Sequence, residues 1–250
     1  MPKHELWELL EYLRPPRFEW VELSHEVSAE TPHYDGFPAL ESKDWFTHDK
    51  EGVHSVVYSV VTQYGTHADA PDHFIRGGRK LHEIGLDEMI LPLCVIDVSA
   101  KVAENPDYGL PAEEIAAWEA EHGEIPSGAF VAMRTDWSKR DAADYAGKDE
   151  TGERHFPGWT IDALRFLCEK RKIAAIGHEP SDTDPAYTLA DAQWVGERYL
   201  LEQDKYQVEL MCNLDRLPPQ GGVIFCCFPR VKDAPGFTAR CFAVIPASNR

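Results

Sequence analysis

The sequence predicts an α/β fold: one domain with a mixed central sheet and flanking helices. Short runs rich in β-branched and aromatic residues recur along the chain. Segments with helical spacing of apolar residues separate several of them, and three strand-like runs close the chain. That mixture of β-rich segments with a few helices implies a single layered α/β unit.

The elements follow in order. LWELLEYLR carries apolar residues at helical spacing and predicts a short N-terminal helix, within an extension spanning 1–18. Residues 53–62, VHSVVYSVVT, read as a strand, and 91–99, LPLCVIDVS, as a buried one. PAEEIAAWEAEHG (111–123) predicts a helix opened by proline and closed by glycine. GAFVAMRT (128–135) is a strand, 135–158 a surface loop, WTIDALRFLCEKRK (159–172) an amphipathic helix, and IAAIG (173–177) a short strand. TLADAQWVGERYLLEQ (188–203) predicts a helix, with Thr188 as cap and Asp191 at the capping-box spacing. YQVELMC, GGVIFCCF and ARCFAVIP are the closing strands. No repeat, low-complexity segment or interdomain linker interrupts residues 1–250, a length suited to one large domain.

The net charge of −18, from 43 acidic against 25 basic residues, excludes a phosphate-binding surface of clustered Lys and Arg, so no nucleic-acid partner is expected. It also repels anionic membranes, and no apolar run reaches the roughly 18–20 residues of a span. The start lacks the apolar stretch of a signal peptide, which predicts a cytoplasmic protein. Cys94, Cys168, Cys212, Cys226, Cys227 and Cys241 form no CxxC pair, and most lie in apolar runs, as buried free thiols do.

The chemistry concentrates in QYGTHADAPDHF, residues 63–74. If the chain is extended there, His67 and Asp69 point the same way. Gln63 joins them if the alternation runs back unbroken, and Gly65 keeps the space open. Pro71 turns the chain and can swing His73 back over the same point. An imidazole and a carboxylate converging suit Zn²⁺ or Mn²⁺, while the alternative is a polar turn with hydrogen-bonded histidines. Further ligands must come from elsewhere. On the strand starting near Tyr206, Gln207, Glu209 and Met211 share a face, and a carboxylate at Glu209 is costly to bury unpartnered. Glu197, on the preceding helix, is a weaker candidate. His178 follows IAAIG at a strand end, a common active-site position, and is a candidate for substrate binding or a turn histidine bonded to backbone. His54 and His82 read as structural. Phe37, Phe74 and Trp194 can wall an apolar pocket or simply fill core.

GTHADAPDHF resembles the HxGTHxDxPxHF signature of the metal-dependent cyclase family, which includes bacterial kynurenine formamidases and isatin hydrolases. VELSHEVSAETPHYDGFP, IGHEPSDTDP and ERYLLEQDKYQVELMCNLDRLP resemble its opening, central and late segments, so the likeness runs from about residue 20 to the end. The resemblance implies the family's swivelling β/β/α-type fold, a divalent metal as cofactor, a small-molecule amide, N-formyl or cyclic amide substrate, and a homodimer or homotetramer. It places His67, Asp69 and Glu209 on metal ligands, His73 on the proton-transfer histidine, and Tyr34 on an aromatic of the substrate pocket. Gln63 and Glu197 stand where the pattern has histidines. Both exchanges supply harder oxygen donors, which favours Mn²⁺ or Mg²⁺ over a two-zinc arrangement and leaves one or two ions open.

Hydrolysis of a small amide by metal-activated water is therefore the leading expectation. A metal-assisted cyclase or lyase working through an enolate is the alternative, and a non-catalytic metal-binding protein the second. Leu6, Trp7, Leu9, Leu10 and Leu13 of the N-terminal helix can pack on their own core or on a neighbouring copy.

Overall fold

Nine strands form the central sheet of the computed structural model, which describes residues 4–191 and 193–247. They are β1 (Phe18–Glu22), β2 (His67–Asp69), β3 (Ile90–Asp97), β4 (Phe130–Arg134), β5 (Ala175–His178), β6 (Tyr206–Glu209), β7 (Gly222–Cys227), β8 (Gly236–Thr238) and β9 (Arg240–Pro246). Their order across the sheet is β1-β9-β7-β3-β4-β5-β6-β2-β8. The central four, β3 to β6, are parallel, and every flanking pair is antiparallel. This is the mixed sheet expected from helices between the middle strands and none between the last ones.

Besides a single turn at His48–Glu51, the α-helices among the described residues are α1 (Glu5–Tyr12), α2 (Ser99–Glu104), α3 (Ala112–His122), α4 (Ile161–Arg165) and α5 (Val195–Glu202). Strand alternation divides the core into two. Cys94, Ile96, Val131, Met133 and Ile176 pack with residues of α2 to α5, among them Val102, Ile115, Leu164 and Leu200. Leu93, Val95, Phe130, Ala132 and Ala175 pack the opposite way, with Val21, Ile224, Ala243 and Val208. The second core is enclosed because the sheet curls. Ser24, just past β1, forms an antiparallel bridge with Met211, just past β6, although five strands separate the two in sheet order. Each fully buried Leu, Val or Ile contributes ~1.5–3 kcal/mol.

Several expectations are corrected. The run 53–62 supplies a strand over Ser55–Ser59, but it pairs with Glu41–Phe46 in a separate hairpin whose side chains are mostly exposed. The helix expected over 188–203 is two elements, a 3₁₀ segment Ala186–Asp191 and then α5. Thr188 does not cap α5; its hydroxyl donates to the Pro185 carbonyl. The side chain of Asp191 lies outside the described residues. The segment 135–158 is no simple surface loop, since Trp137, Tyr145 and Phe156 are buried in the helix-side core. Helix α4 continues in π form over Phe166–Arg171. Met211 does not share a face with Glu209: Leu210 takes a left-handed φ of 55°, which reverses the alternation and turns Met211 into the second core. All six cysteines are free, but Cys212 is only half-buried and Cys227 is exposed. Helix α1 buries none of its residues.

Candidate metal centre and active site

The site is a product of strand register. In the antiparallel β2–β6 pair, His67 lies opposite Glu209 and Asp69 opposite Gln207. Residues two apart share a face and directly opposed residues meet, so all four side chains converge. The residues between them, Ala68 and Val208, point into the apolar core. A fifth donor comes from the turn that Pro71 starts, a 3₁₀ segment Pro71–His73. A sixth, Glu197, stands in the first turn of α5.

Distances and protonation follow. His67 Nδ1 donates to the Gly65 carbonyl at 2.8 Å, so the proton sits there and the Nε2 lone pair faces inward. That Nε2 lies 3.3 Å from Asp69 Oδ2 and 3.5 Å from Glu209 Oε2. Three electron-rich atoms thus face one another, an arrangement favourable only with a cation or proton among them. A second trio, Asp69, His73 and Glu197, shares Asp69 with the first, and the ligand atoms of each trio lie within 4.8 Å of one another. Asp69 Oδ1 is buried without a hydrogen-bond partner. A mixed nitrogen and carboxylate set with an orphaned carboxylate oxygen fits a divalent cation.

The pKa shifts express the same crowding. Burial pushes the Asp69 carboxyl up, but His67 and His73 beside it, whose protonated rings attract its charge, and the hydrogen bonds from protonated His67 and from Gln207 hold it well below the usual range. Burial lowers the His67 pKa, and the Asp69 charge and hydrogen bond raise it further than burial lowers it. Burial, then the neighbouring carboxylates, drives Glu197 and Glu209 well above the ordinary value. Burial raises Asp182 to about 6, opposed by the hydrogen bond from Trp194 and by Arg154.

Supporting residues hold these groups. The Thr183 hydroxyl donates to Gln207 Oε1 at 2.6 Å, which turns the Gln207 amide nitrogen toward Glu197 at 2.8 Å, Glu209 at 2.9 Å and Asp69 at 3.3 Å. Asp184 accepts the backbone N–H groups of Gly196 at 2.6 Å and Glu197 at 2.9 Å, and so fixes the start of α5. Trp159 Nε1 donates to His178 Nδ1 at 3.4 Å, leaving His178 Nε2 to donate to Glu209 Oε1 at 3.3 Å. Gly236, opposite Asp69 on β8, has no room for a side chain: a Cβ there would meet Asp69 Oδ1 and Gln63 Nε2, each at 2.7 Å.

A cavity of about 230 Å³ opens over the cluster, lined by Tyr34, Gln63, His67, His73, Glu197 and Glu209. Asp69 lies beneath, fully buried. Phe37, Phe74 and Trp194 complete an aromatic wall, with Tyr34 and Phe37 at 5.2 Å between centroids and Phe74 and Trp194 at 5.9 Å. Gln63 reaches this lining although Gly65, at φ +60°, breaks the alternation expected to carry it there. His178 is fully buried behind Glu209 and stands outside the lining.

The Cyclase family profile matches residues 21–185, which is well over half of the chain. The chain belongs to the cyclase family. Isatin hydrolase of Roseibium aggregatum is 38% identical over 189 residues, covering 73% of this chain and 71% of that protein. Kynurenine formamidase of Bacillus cereus is 25% identical over 168 residues, covering 67% and 71% respectively. The structure of isatin hydrolase A from Labrenzia aggregata, bound to benzyl benzoate, superposes with a TM-score of 0.90 at 33% identity, over 97% of this chain and all of that one. Among the described residues of this cyclase-family chain, no helix is long and apolar enough to cross a membrane.

Sequence reasoning missed Gln207, Thr183, Asp184, Asp182 and Gly236. Gln207 had a signal, two residues before Glu209 on the same face. The acid-rich SDTD after a buried strand was another. Gly236 had none, because only the β2–β8 register places it against Asp69.

Proposed function

We propose that this cyclase-family protein is a metal-dependent hydrolase of small amides, with a cyclic amide of the isatin type as its substrate. One observation carries the reading: the His67 Nε2 lone pair faces the carboxylate oxygens of Asp69 and Glu209 at 3.3 and 3.5 Å, with only the neutral Gln207 amide and the His178 ring to serve those two carboxylates and, among the described residues, no cationic side chain beside them. His67, Asp69 and Glu209 would hold one ion; Asp69 and Glu197 of the second trio, with Gln63 beside them, would hold a second if His73 is kept for proton transfer. The single nitrogen among oxygen donors favours Mn²⁺ or Zn²⁺. A bound divalent cation supplies Lewis acidity toward a carbonyl and makes water acidic enough to attack it near neutral pH.

The chain's own groups do the rest. Gln63 Nε2, a donor only, faces His73 Nδ1 at 3.4 Å, so the transferable proton of neutral His73 sits on Nε2. His73 lines the cavity and delivers that proton to the leaving nitrogen as general acid. Tyr34, Phe37, Phe74 and Trp194 bind a planar ring and exclude water from it. His178 holds Glu209 in place rather than touching substrate. The exposed Leu6, Trp7, Leu9 and Leu10 of α1 support assembly of copies into a homodimer or homotetramer, and six free thiols suit the reducing cytoplasm.

The test is direct. Protein loaded with Mn²⁺ or Zn²⁺ is expected to open the five-membered ring of isatin, followed by loss of its visible absorbance. Absence of turnover with either metal, on isatin and on N-formyl anilines alike, would overturn the reading.

A further inference from the structure

We propose that Asp182 orients the substrate by accepting a hydrogen bond from the N–H of the amide that is cleaved. The inference rests on the amide-hydrolase reading of the site and deepens it. Asp182 lines the cavity yet is only 6% exposed, so what it can offer is offered into the cavity. It belongs to neither trio of candidate metal ligands.

The two oxygens of Asp182 differ. Oδ1 accepts the Trp194 indole N–H at 3.1 Å. Oδ2 has only the Ser181 hydroxyl, at a long 3.3 Å, and keeps acceptor capacity. Trp194 is itself fixed, in the left-handed region at φ 41° as the residue preceding α5, with its ring against Phe74. The indole therefore serves both as pocket wall and as anchor for the carboxylate.

The chemistry of an amide then makes the assignment. A secondary amide has one strong acceptor, its carbonyl oxygen, and one donor, its N–H. The carbonyl is drawn to the cation-binding trio. The N–H must meet an acceptor or be left unpaired when the ring is buried between the aromatic walls. Glu197 and Glu209 are committed to the cluster, and Gln63 presents its amide nitrogen to His73. Asp182 lines the same cavity outside both trios, and its Oδ2 keeps acceptor capacity beyond the long Ser181 contact. In a pocket with apolar walls, a few convergent polar groups fix the pose and the selectivity.

Isatin and N-methylisatin differ only at this nitrogen, N–H against N–CH₃, and each variant is compared with wild type on the same compound. In Asp182→Asn the Trp194 N–H claims the amide oxygen, which leaves the side-chain NH₂ where the acceptor stood. We expect kcat/KM for isatin to fall by about 10²-fold, the scale of an unpaired buried donor. N-methylisatin should change by less than about 3-fold, and bound metal should stay at the wild-type level. Trp194→Phe keeps a ring in the wall and removes only the anchor, so it should move the same ratio in the same direction, by roughly 3–10-fold. It also carries the test if the Asn variant does not fold. Equal loss on both compounds, an unchanged ratio, or loss of metal in Asp182→Asn would overturn the inference. If wild type opens neither compound, the hydrolase reading has failed and this inference with it. If wild type opens both and the variants leave their ratio alone, only the inference fails.

Discussion

Asp184→Ala tests whether the second ligand trio is held by the helix cap. Asp184 is 3% exposed and accepts two backbone N–H groups at the start of α5, from Gly196 and from Glu197 itself. Trp194, the residue at the cap position, supplies no side-chain bond to the helix backbone. Loss of an N-cap acceptor costs ~0.5–2 kcal/mol, and two buried, charge-assisted bonds place this one near the top of that range. The cost of burying the carboxylate, visible in its raised pKa, offsets part of the gain, so ~2 kcal/mol is the expected destabilisation. For a chain of this length each kcal/mol moves Tm by about 2–4 °C, giving a fall of about 4–8 °C. Thermal unfolding of metal-free Asp184→Ala and Asp184→Asn checks it, with Asn, which keeps one acceptor, expected between Ala and wild type. Metal titration should show weakened binding in Asp184→Ala, because Glu197 loses the backbone anchor that aims it. A variant with wild-type Tm and wild-type metal affinity would refute the reasoning.

Two further outcomes follow from the site. His73→Ala should lower kcat by roughly 10²–10⁴ while the ion at His67, Asp69 and Glu209 stays bound, measured by turnover beside metal content; loss of all metal would make His73 a ligand of that ion. The metal-free protein should lose stability as pH rises above about 4.5, because folded Glu197 and Glu209 keep protons that the unfolded chain releases above that ordinary value. His67, raised above 6.5, acts in the same direction, since its contribution is complete below that value and lost above it. Asp69, held below 3.8, acts oppositely but only in acid, outside this window. Added Mn²⁺ must displace those protons, so its stabilising increment in Tm should grow over the same range; an increment that shrinks with pH would contradict the assignment.

The parts legible in the sequence were those encoded locally. The parallel core strands, the Pro111-to-Gly123 helix and the pairing of His67 with Asp69 all rest on periodicity or turn chemistry within a dozen residues. Glu209 was legible from the cost of burying its charge. What stayed hidden depends on tertiary register. Gln207 and Gly236 matter because β2 pairs with β6 on one side and β8 on the other, which no local pattern records. The break before α5 was hidden because Asp184, twelve residues before Gly196, supplies the cap. A single left-handed residue, Leu210, was enough to move Met211 to the opposite face. Composition was enough to mark the strand Ser55–Ser59, but not to show that it pairs outside the central sheet with its side chains mostly exposed.

Elemental mass spectrometry of purified wild type beside His67→Ala and Glu209→Ala tests the metal centre most directly. The account predicts Mn or Zn at one or two ions per chain in wild type and loss of metal from both variants, with the unfolding transition retained. Wild type that takes up neither ion after exposure to Mn²⁺ and Zn²⁺, or variants that keep the full complement, would contradict it.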